Sequence, residues 1–284
     1  MDFRNITVLG TGVLGAQIAL QAAYHGFDVV AYDINDALID KARATLAGIG
    51  ARYLDDLTGA DQARVDAAIA RIAFATDLKT ASAGADLVIE AIPEQLELKR
   101  RVYAELGAVA PATAVFASNS STLLPSAMAD ATGRPARFLS LHFANEIWRH
   151  NLAEVMGHPG TDPQVHAQVV EFAKAIGMVP VELHKEQPGY VLNSLLVPLL
   201  SAAGNLLVDG IAEPADIDQA WRIGTGAPAG PFQIYDIVGL NTAYNISSMG
   251  GPKQQAFAQL LKERYIEQGK LGVASGEGFY RYRG

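Results

Sequence analysis

The chain reads as an α/β protein, a Rossmann-type, mostly parallel sheet domain followed by an all-helical C-terminal domain, and three observations predict this. Up to about residue 183, short runs rich in Val, Ile, Leu and Phe alternate with Ala-rich, polar-faced stretches of helical length, the rhythm of β-α-β units. A glycine-rich turn, Gly10-Thr11-Gly12-Val13-Leu14-Gly15, joins the first apolar run to the first Ala-rich stretch. After Glu186 apolar residues recur at helical spacing, punctuated by Pro188-Gly189, Glu213-Pro214, Pro228 and Gly230-Pro231, so the last hundred or so residues read as helices.

Taken in order, the strand candidates are Ile6 to Leu9, Val29 to Tyr32, Leu87 to Ala91, Val115 to Ala117, Phe138 to His142 and Met178 to Val181. Helices are expected between most of them, with two helices in the segment from Asp36 to Arg71. At 284 residues the chain exceeds the usual size of one hydrophobic core. The expected division is residues 1–185 and 186–284. In the second part Asp216 and Asp218 precede Ala220 and Trp221 as helix-start residues. The apolar stretch Leu195 to Val208 contains Pro198, Gly204 and Asn205. It is too short to span a bilayer comfortably and reads as a core or subunit-interface helix.

Composition narrows the partners. Lys and Arg total 22 against 30 Asp and Glu, a formal charge of −8 that repels a nucleic-acid backbone. The absence of cysteine excludes disulfides, thiolate metal sites and cysteine nucleophiles. It also fits a reducing compartment, so cytoplasm is the expected location. Near the N-terminus Gly10, Gly12 and Gly15 interrupt the apolar run and no basic stretch with a cleavage site appears, which reads as a buried strand rather than a signal peptide. His142, His150, His158 and His166 recur every eight residues, but Gly157, Pro159 and Gly160 break any continuous helix between them. No metal site is expected.

The glycine turn is informative because of its setting, after an apolar strand and before a helix. Gly10 allows the tight turn, Gly12 lets the backbone approach a pyrophosphate, and Gly15 lets the helix pack close to the strand. Val13 and Leu14 complete the fingerprint, and the helix start offers N–H groups to phosphate. Asp33 lies eighteen residues after Gly15, at the end of Val29-Val30-Ala31-Tyr32, where an acid accepts bonds from an adenosine ribose and repels a 2′-phosphate. The cofactor expected is NAD rather than NADP.

Four further segments stand out: Glu90-Ala91-Ile92-Pro93-Glu94 running to Lys99, Ser118-Asn119-Ser120-Ser121-Thr122, Leu141-His142-Phe143-Ala144-Asn145 running to Glu154, and Pro188-Gly189-Tyr190-Val191-Leu192-Asn193. Each alone has a bland explanation as a turn, a structural histidine or a helix surface. Their order resembles the 3-hydroxyacyl-CoA dehydrogenase family across nearly the whole chain, together with Gly230-Pro231-Phe232, Asp236-Ile237-Val238-Gly239-Leu240 and Gly276-Glu277-Gly278-Phe279-Tyr280. Within it the chain looks closest to the diketoreductase branch, in His142 to Asn145 followed by Trp148, Ala153 to Gly157, Gly189 to Pro198 and Ile223 to Pro228.

The resemblance implies a Rossmann domain, an all-helical second domain and a homodimer formed through that second domain. It implies His142 as general base in oxidation and acid in reduction, a role that suits an imidazole with a reference pKa of about 6.5. Glu154 would hold the other ring nitrogen and stabilise the imidazolium. Ser121 and Asn193 would hydrogen-bond the reacting oxygen, with Asn193 making the site span both domains. Glu94, Lys99 and Asn145 fall at cofactor-contact positions, where Lys99 suits a ribose hydroxyl or a carboxylate partner. The bland alternative for Glu94 and Lys99 is a solvated helical pair, and Asn119 reads as a residue that shapes its turn.

The chain also departs from the family. Members acting on acyl-CoA usually carry a lysine-rich stretch after the second strand. From Ala44 to Ala73 this chain has no lysine, only Arg52, Arg64 and Arg71 beside Asp55, Asp56, Asp61 and Asp66. That face is expected to repel an anionic carrier. After His142 the usual Phe-Asn-Pro-Val pattern becomes Ala144-Asn145-Glu146-Ile147-Trp148, with Trp148 either an apolar wall for substrate or an ordinary packed aromatic. Near the C-terminus Gly272-Val273-Ala274-Ser275 replaces a pattern that normally contains lysines.

The function expected is NADH-dependent interconversion of β-keto, or β,δ-diketo, and β-hydroxy compounds not bound to coenzyme A. Competing readings are a true 3-hydroxyacyl-CoA dehydrogenase and a gulonate- or carnitine-type hydroxy-acid dehydrogenase, for which Arg149 is the obvious local cation. From a different class comes an NAD-binding crystallin-like structural protein. No membrane association is expected.

Overall fold

The computed structural model describes residues 3–282. The chain divides into two compact units, residues 1–191 and 192–284. The division falls a little beyond the expected break at residue 185, because the turn through Tyr190 and Val191 is still bonded to the first unit: the Tyr190 hydroxyl donates to the Ser120 carbonyl and the Val191 N–H to Glu154.

In the first unit β1 (Asn5–Leu9), α1 (Val13–Tyr24) and β2 (Asp28–Tyr32) form the opening β-α-β unit. Two helices follow, α2 (Asp36–Asp56) and α3 (Gln62–Ala70), then β3 (Ile72–Ala75) and α4 (Leu78–Ser82). Asn35, Asp61 and Asp77 accept from the N–H groups of Leu38, Arg64 and Thr80 and so cap α2, α3 and α4. The unit continues with β4 (Leu87–Glu90), α5 (Leu96–Val109), β5 (Val115–Ser118), β6 (Phe138–Phe143), β7 (Leu152–Met156), α6 (Pro163–Ala175) and β8 (Val179–Leu183).

These strands form one eight-stranded sheet in the order β3-β2-β1-β4-β5-β6-β7-β8. All neighbours are parallel except β6 and β7. Strands β1, β4, β5 and β6 are almost wholly buried, as expected of a parallel sheet covered on both faces. The strand order reverses at β1 and β4, so the carboxyl ends of β1, β4, β5 and β6 share one edge, where open α/β sheets bind ligands. Strands β3 and β7 were not among the sequence candidates; β7 carries the charged Glu154 in its middle, which masks its strand character.

The second unit is helical: α7 (Tyr190–Val208, which begins in the first unit), α8 (Pro214–Thr225), α9 (Pro231–Val238), α10 (Leu240–Ser248) and α11 (Pro252–Arg264). Leu200, Leu207, Ile217, Phe232, Tyr235, Leu240, Phe257 and Leu261 form its core. Asp218 does not start α8 as expected. It is buried within that helix and caps α9, accepting from Phe232 N and Gln233 N. Helix α7 is long and apolar enough to cross a membrane by length and composition alone, and little of it is buried.

Candidate active site

The glycine turn has the stereochemistry a dinucleotide requires. Gly10 lies at φ +90°, and a Cβ there would stand 2.7 Å from the Ala91 carbonyl oxygen. A Cβ on Gly15 would stand 1.9 Å from the Gly10 oxygen, so α1 approaches β1 only without a side chain. Gly12, the N-cap of α1, faces open space, no side chain caps the helix, and no acid lies in its first turn. A helix start with donor groups, room and no opposing charge fits the pyrophosphate of NAD. Val13 is exposed at this start and Leu14 packs partly against the core.

Asp33 follows β2 and is tied to the same turn. One of its carboxylate oxygens accepts from the Thr11 N–H at 2.8 Å and the Thr11 hydroxyl at 2.7 Å, the other from Ile34 N–H. Its half-buried carboxylate thus braces the glycine turn while standing at the end of the strand where a ribose is read.

At the carboxyl ends of β5 and β6 the structure brings Ser121, His142 and Glu154 together. His142 and Glu154 are directly opposed on β6 and β7. His142 Nδ1 lies 3.0 Å from Glu154 Oε2, and His142 Nε2 lies 3.1 Å from Ser121 Oγ. Both members of the pair are buried. An ionised carboxylate only accepts, so the network places the imidazole hydrogen on Nδ1 and leaves Nε2 as the acceptor for the Ser121 hydroxyl. Ser121 sits in the turn after β5, a turn held by Glu94, whose Oε1 accepts from Ser120 Oγ, Thr122 N and Thr122 Oγ1. Burial alone would raise the Glu94 carboxyl, but the bonds from Ser120 and Thr122 and the Lys99 ammonium outweigh it and hold the carboxyl below its ordinary value.

Lys99 departs from the solvated pair that its spacing from Glu94 allows. It is 1% exposed. Its ammonium is 2.5 Å from Glu90 Oε1 and 3.3 Å from Glu94 Oε2, and it also donates to the Ile92 carbonyl. Glu90 in turn accepts from Tyr103 Oη, Ser118 Oγ and Ile92 N. This buried network stands under the carboxyl ends of β4 and β5. The roles of Glu90, Ser118 and Tyr103 in it were not assigned from sequence. The signal was present: an apolar strand ending in glutamate demands a buried partner, and Lys99 is the nearest cation that follows it.

Asn145 is exposed in the loop between β6 and β7. Its neighbour Glu146 adopts φ 59°, donates its N–H to Gln17 Oε1 on α1 and pairs with Arg52 on α2. Trp148 does not form a substrate wall. It is buried in the core against Tyr53, with its indole N–H on Asp56 and Arg52 over its ring. Asn119 Oδ1 accepts from Phe143 N–H, joining the ends of β5 and β6. Asn193 lies in the second unit, on α7. Tyr190, quoted in the sequence motif but given no role, lies flat against His142 with ring centroids 4.4 Å apart. Among the described residues no group of three or more His, Asp or Glu side chains could hold a metal.

Comparison with known proteins agrees with this geometry. Residues 5–187 match the family model for the 3-hydroxyacyl-CoA dehydrogenase NAD binding domain and residues 189–282 that for its C-terminal domain. The mitochondrial hydroxyacyl-coenzyme A dehydrogenase of Homo sapiens is 35% identical, over 99% of this chain and 91% of that protein. A probable 3-hydroxybutyryl-CoA dehydrogenase of Deinococcus radiodurans is 34% identical, over 97% of this chain and 99% of its own. Among solved structures, a diketoreductase described for substrate-directed dual catalysis of dicarbonyl compounds is 61% identical with a TM-score of 0.97, covering 99% of this chain and 100% of that one. The (S)-3-hydroxybutyryl-CoA dehydrogenase of Ralstonia eutropha is 31% identical with a TM-score of 0.84, each chain fully covered. The chain therefore belongs to the 3-hydroxyacyl-CoA dehydrogenase family and is an NAD-dependent oxidoreductase that interconverts keto and CH–OH groups.

Proposed function

We propose that the protein reduces β-keto and β,δ-dicarbonyl compounds not linked to coenzyme A, with His142 as the acid–base group. The observation that carries the mechanism is the chain Ser121 Oγ, His142 Nε2, His142 Nδ1 and Glu154 Oε2, with both links near 3 Å. The glycine turn at the start of α1 would hold NADH, which would supply a hydride to the carbonyl carbon. In its protonated form His142 donates the Nε2 proton to the oxygen, and Glu154 stabilises that imidazolium from the opposite side of the ring. The Ser121 hydroxyl donates to the same oxygen as negative charge develops there. Asn193 is assigned the second donor by family resemblance. In oxidation His142 starts neutral and takes the hydroxyl proton at Nε2. Glu94, Lys99 and Asn145 are assigned to the cofactor side, with Lys99 acting from its buried pair with Glu90.

Substitution of His142 by alanine tests the mechanism. Turnover is expected to fall by about 10²- to 10⁴-fold, with NADH affinity nearly unchanged; activity like the wild type's removes the mechanism.

The substrate class rests on the stretch from Ala44 to Ala73. Its three arginines all have partners within the protein: Arg52 pairs with Glu146 and covers Trp148, Arg64 lies 4.0 Å from the Tyr24 ring centroid, and Arg71 is 3.7 Å from Asp28. Asp55, Asp61 and Asp66 are exposed around them, and Asp56 is taken up by Trp148 and Arg149. That surface is poorly suited to the phosphates of an acyl carrier, and the 61%-identical diketoreductase acts on dicarbonyl compounds. The names of the relatives near one-third identity favour acyl-CoA instead. Arg149, the cation a free hydroxy acid would need, is shared between Glu146 and Asp56, which disfavours the gulonate- or carnitine-type reading.

A homodimer through the second unit accounts for its exposed apolar side chains, Leu195, Ile211, Ile223, Ile237 and Met249, each more than three-fifths exposed. Light scattering at the mass of one chain would remove that assignment. A cytoplasmic location is the reading that the cysteine-free composition supports.

A further inference from the structure

We propose that Tyr190 is a positioning residue that keeps the His142 ring in its working plane, an inference that rests on the reading of His142 as the acid–base group. The imidazole nitrogens bond from the edge of the ring, and His142 uses both, Nε2 to Ser121 Oγ at 3.1 Å and Nδ1 to Glu154 Oε2 at 3.0 Å. These bonds fix two points on the ring and leave its tilt about the line joining them weakly opposed. The Tyr190 ring lies parallel to the imidazole, with an interplanar angle of 10° and centroids 4.4 Å apart. A flat surface at that distance opposes tilting from one side.

The tyrosine is itself held from three directions. Its hydroxyl donates to the Ser120 carbonyl at 2.8 Å, which ties the ring to the turn that carries Ser121. The next N–H, that of Val191, donates to Glu154 Oε1 at 2.9 Å, on the oxygen that His142 does not use. Its backbone follows Gly189, at φ 81°, and takes φ 53° itself, a left-handed conformation that disfavours a non-glycine residue. This one strained turn places both the ring on His142 and the N–H on Glu154. Tyr190 is 1% exposed, and burial raises its phenol well above the ordinary value. The hydroxyl is therefore a neutral donor already committed to Ser120, and the ring rather than the proton is the working part.

The test compares Tyr190→Phe, which keeps the ring, with Tyr190→Leu, which removes it; Tyr190→Met replaces the leucine variant if that does not fold. The expected result is a fall in kcat of about 10- to 100-fold for the aliphatic variant, with KM and Kd for NADH within about twofold of wild type. Tyr190→Phe is expected to hold kcat within about threefold, so that the ring alone rescues catalysis. An aliphatic variant with wild-type kcat overturns the proposal. So does a phenylalanine variant as impaired as the aliphatic one, or a loss of NADH affinity that matches the loss in kcat, because either marks a general structural role. His142→Ala is measured alongside: activity retained there removes the underlying reading of the site, whereas an inactive His142→Ala with an indifferent Tyr190→Leu removes only the role of Tyr190.

Discussion

His142 and Glu154 are directly opposed residues on the sheet's one antiparallel pair of strands, and their side chains meet at 3.0 Å between Nδ1 and Oε2. The turn of chain direction at β7 lets a carboxylate stand beside the base without leaving the sheet. Glu154 is 1% exposed, so the pair is shielded from water and the carboxylate is the charge in direct contact with the ring. Glu154→Gln keeps an acceptor for Nδ1–H but removes the charge. The expected outcome is a loss in kcat of about 10²- to 10⁴-fold with little change in the Kd for NADH, measured by steady-state kinetics and fluorescence titration. A glutamine variant that turns over like wild type means the carboxylate charge is idle.

The second prediction concerns Asp33. Its carboxylate follows β2, at the position we assign to reading the ribose, and accepts two bonds from Thr11. Wild type is expected to prefer NADH to NADPH, because an acid there repels a 2′-phosphate. Asp33→Ala is expected to weaken both cofactors rather than exchange them, since the glycine turn loses its brace. Initial rates with each reduced cofactor at matched concentrations decide it, and an alanine variant that gains NADPH use without losing NADH affinity contradicts the bracing role.

The parts of this site that were readable from sequence are those where backbone geometry leaves no alternative. Gly10 and Gly15 cannot be replaced without collision, and Asp33 follows directly on β2, so their spacing, set between an apolar strand and a helix, marks them. Glu154 was reached only through family resemblance, because a strand carrying a charge in its middle has neither alternation nor an unbroken apolar run. Trp148 illustrates the other limit. Its neighbour in sequence is the loop after His142, but its contacts are Tyr53 and Asp56 on α2. Such long-range packing leaves no local pattern. Lys99 lies between these cases: its charge is plain in the sequence, whereas its burial depends on Glu90 closing the end of β4.

That burial yields a stability prediction. Lys99→Met leaves Glu90, which is fully buried, without its cation, and breaking a buried pair from one side costs about 3–5 kcal/mol. For a unit of this size the melting temperature is expected to drop by roughly 10 °C. The double variant Glu90→Gln with Lys99→Met is expected to recover part of the loss, because no uncompensated charge remains. Calorimetry on the three proteins checks this; a double variant no more stable than Lys99→Met removes the argument.

Glu94 supplies a pH dependence with a defined sign. Its carboxyl is held below the ordinary value, despite burial, by Ser120, Lys99 and Thr122. A depressed folded value means that the stabilisation is complete above the unfolded carboxylate value, about 4.3. It is lost as pH falls through the lower folded value. Wild type is therefore expected to be more stable than Glu94→Gln at neutral pH, with the difference shrinking in acid. Because the Glu94 side chain is 38% exposed, the effect is expected to be small, under about 1 kcal/mol. Chemical denaturation of both proteins between neutral pH and pH 3 measures it, and a gap that widens in acid reverses the sign.

The final prediction is the substrate. A 3,5-diketo ester is expected to show a higher kcat/KM than acetoacetyl-CoA. The motive is the charge inventory from Ala44 to Ala73, where Arg52, Arg64 and Arg71 each have a partner within the protein and Asp55, Asp61 and Asp66 are exposed. A phosphate approaching that stretch finds no lysine and no arginine without a partner, and the neighbouring carboxylates repel it. A charged hydrogen bond contributes about 1.5–3 kcal/mol, and 1.36 kcal/mol corresponds to about tenfold in rate, so the absence of a few such bonds is enough to reverse a preference. Packing of Trp148 into the core removes the wall it would have offered a bulky substituent, and the prediction rests on charge alone. That makes ionic strength the discriminating variable. Raising salt from low to physiological strength shortens the screening length to about 8 Å, which is expected to raise kcat/KM for acetoacetyl-CoA while leaving the uncharged ester unchanged. Side-by-side NADH oxidation assays over that range decide between the two classes: acetoacetyl-CoA turning over better at every salt concentration returns the protein to the acyl-CoA branch of its family.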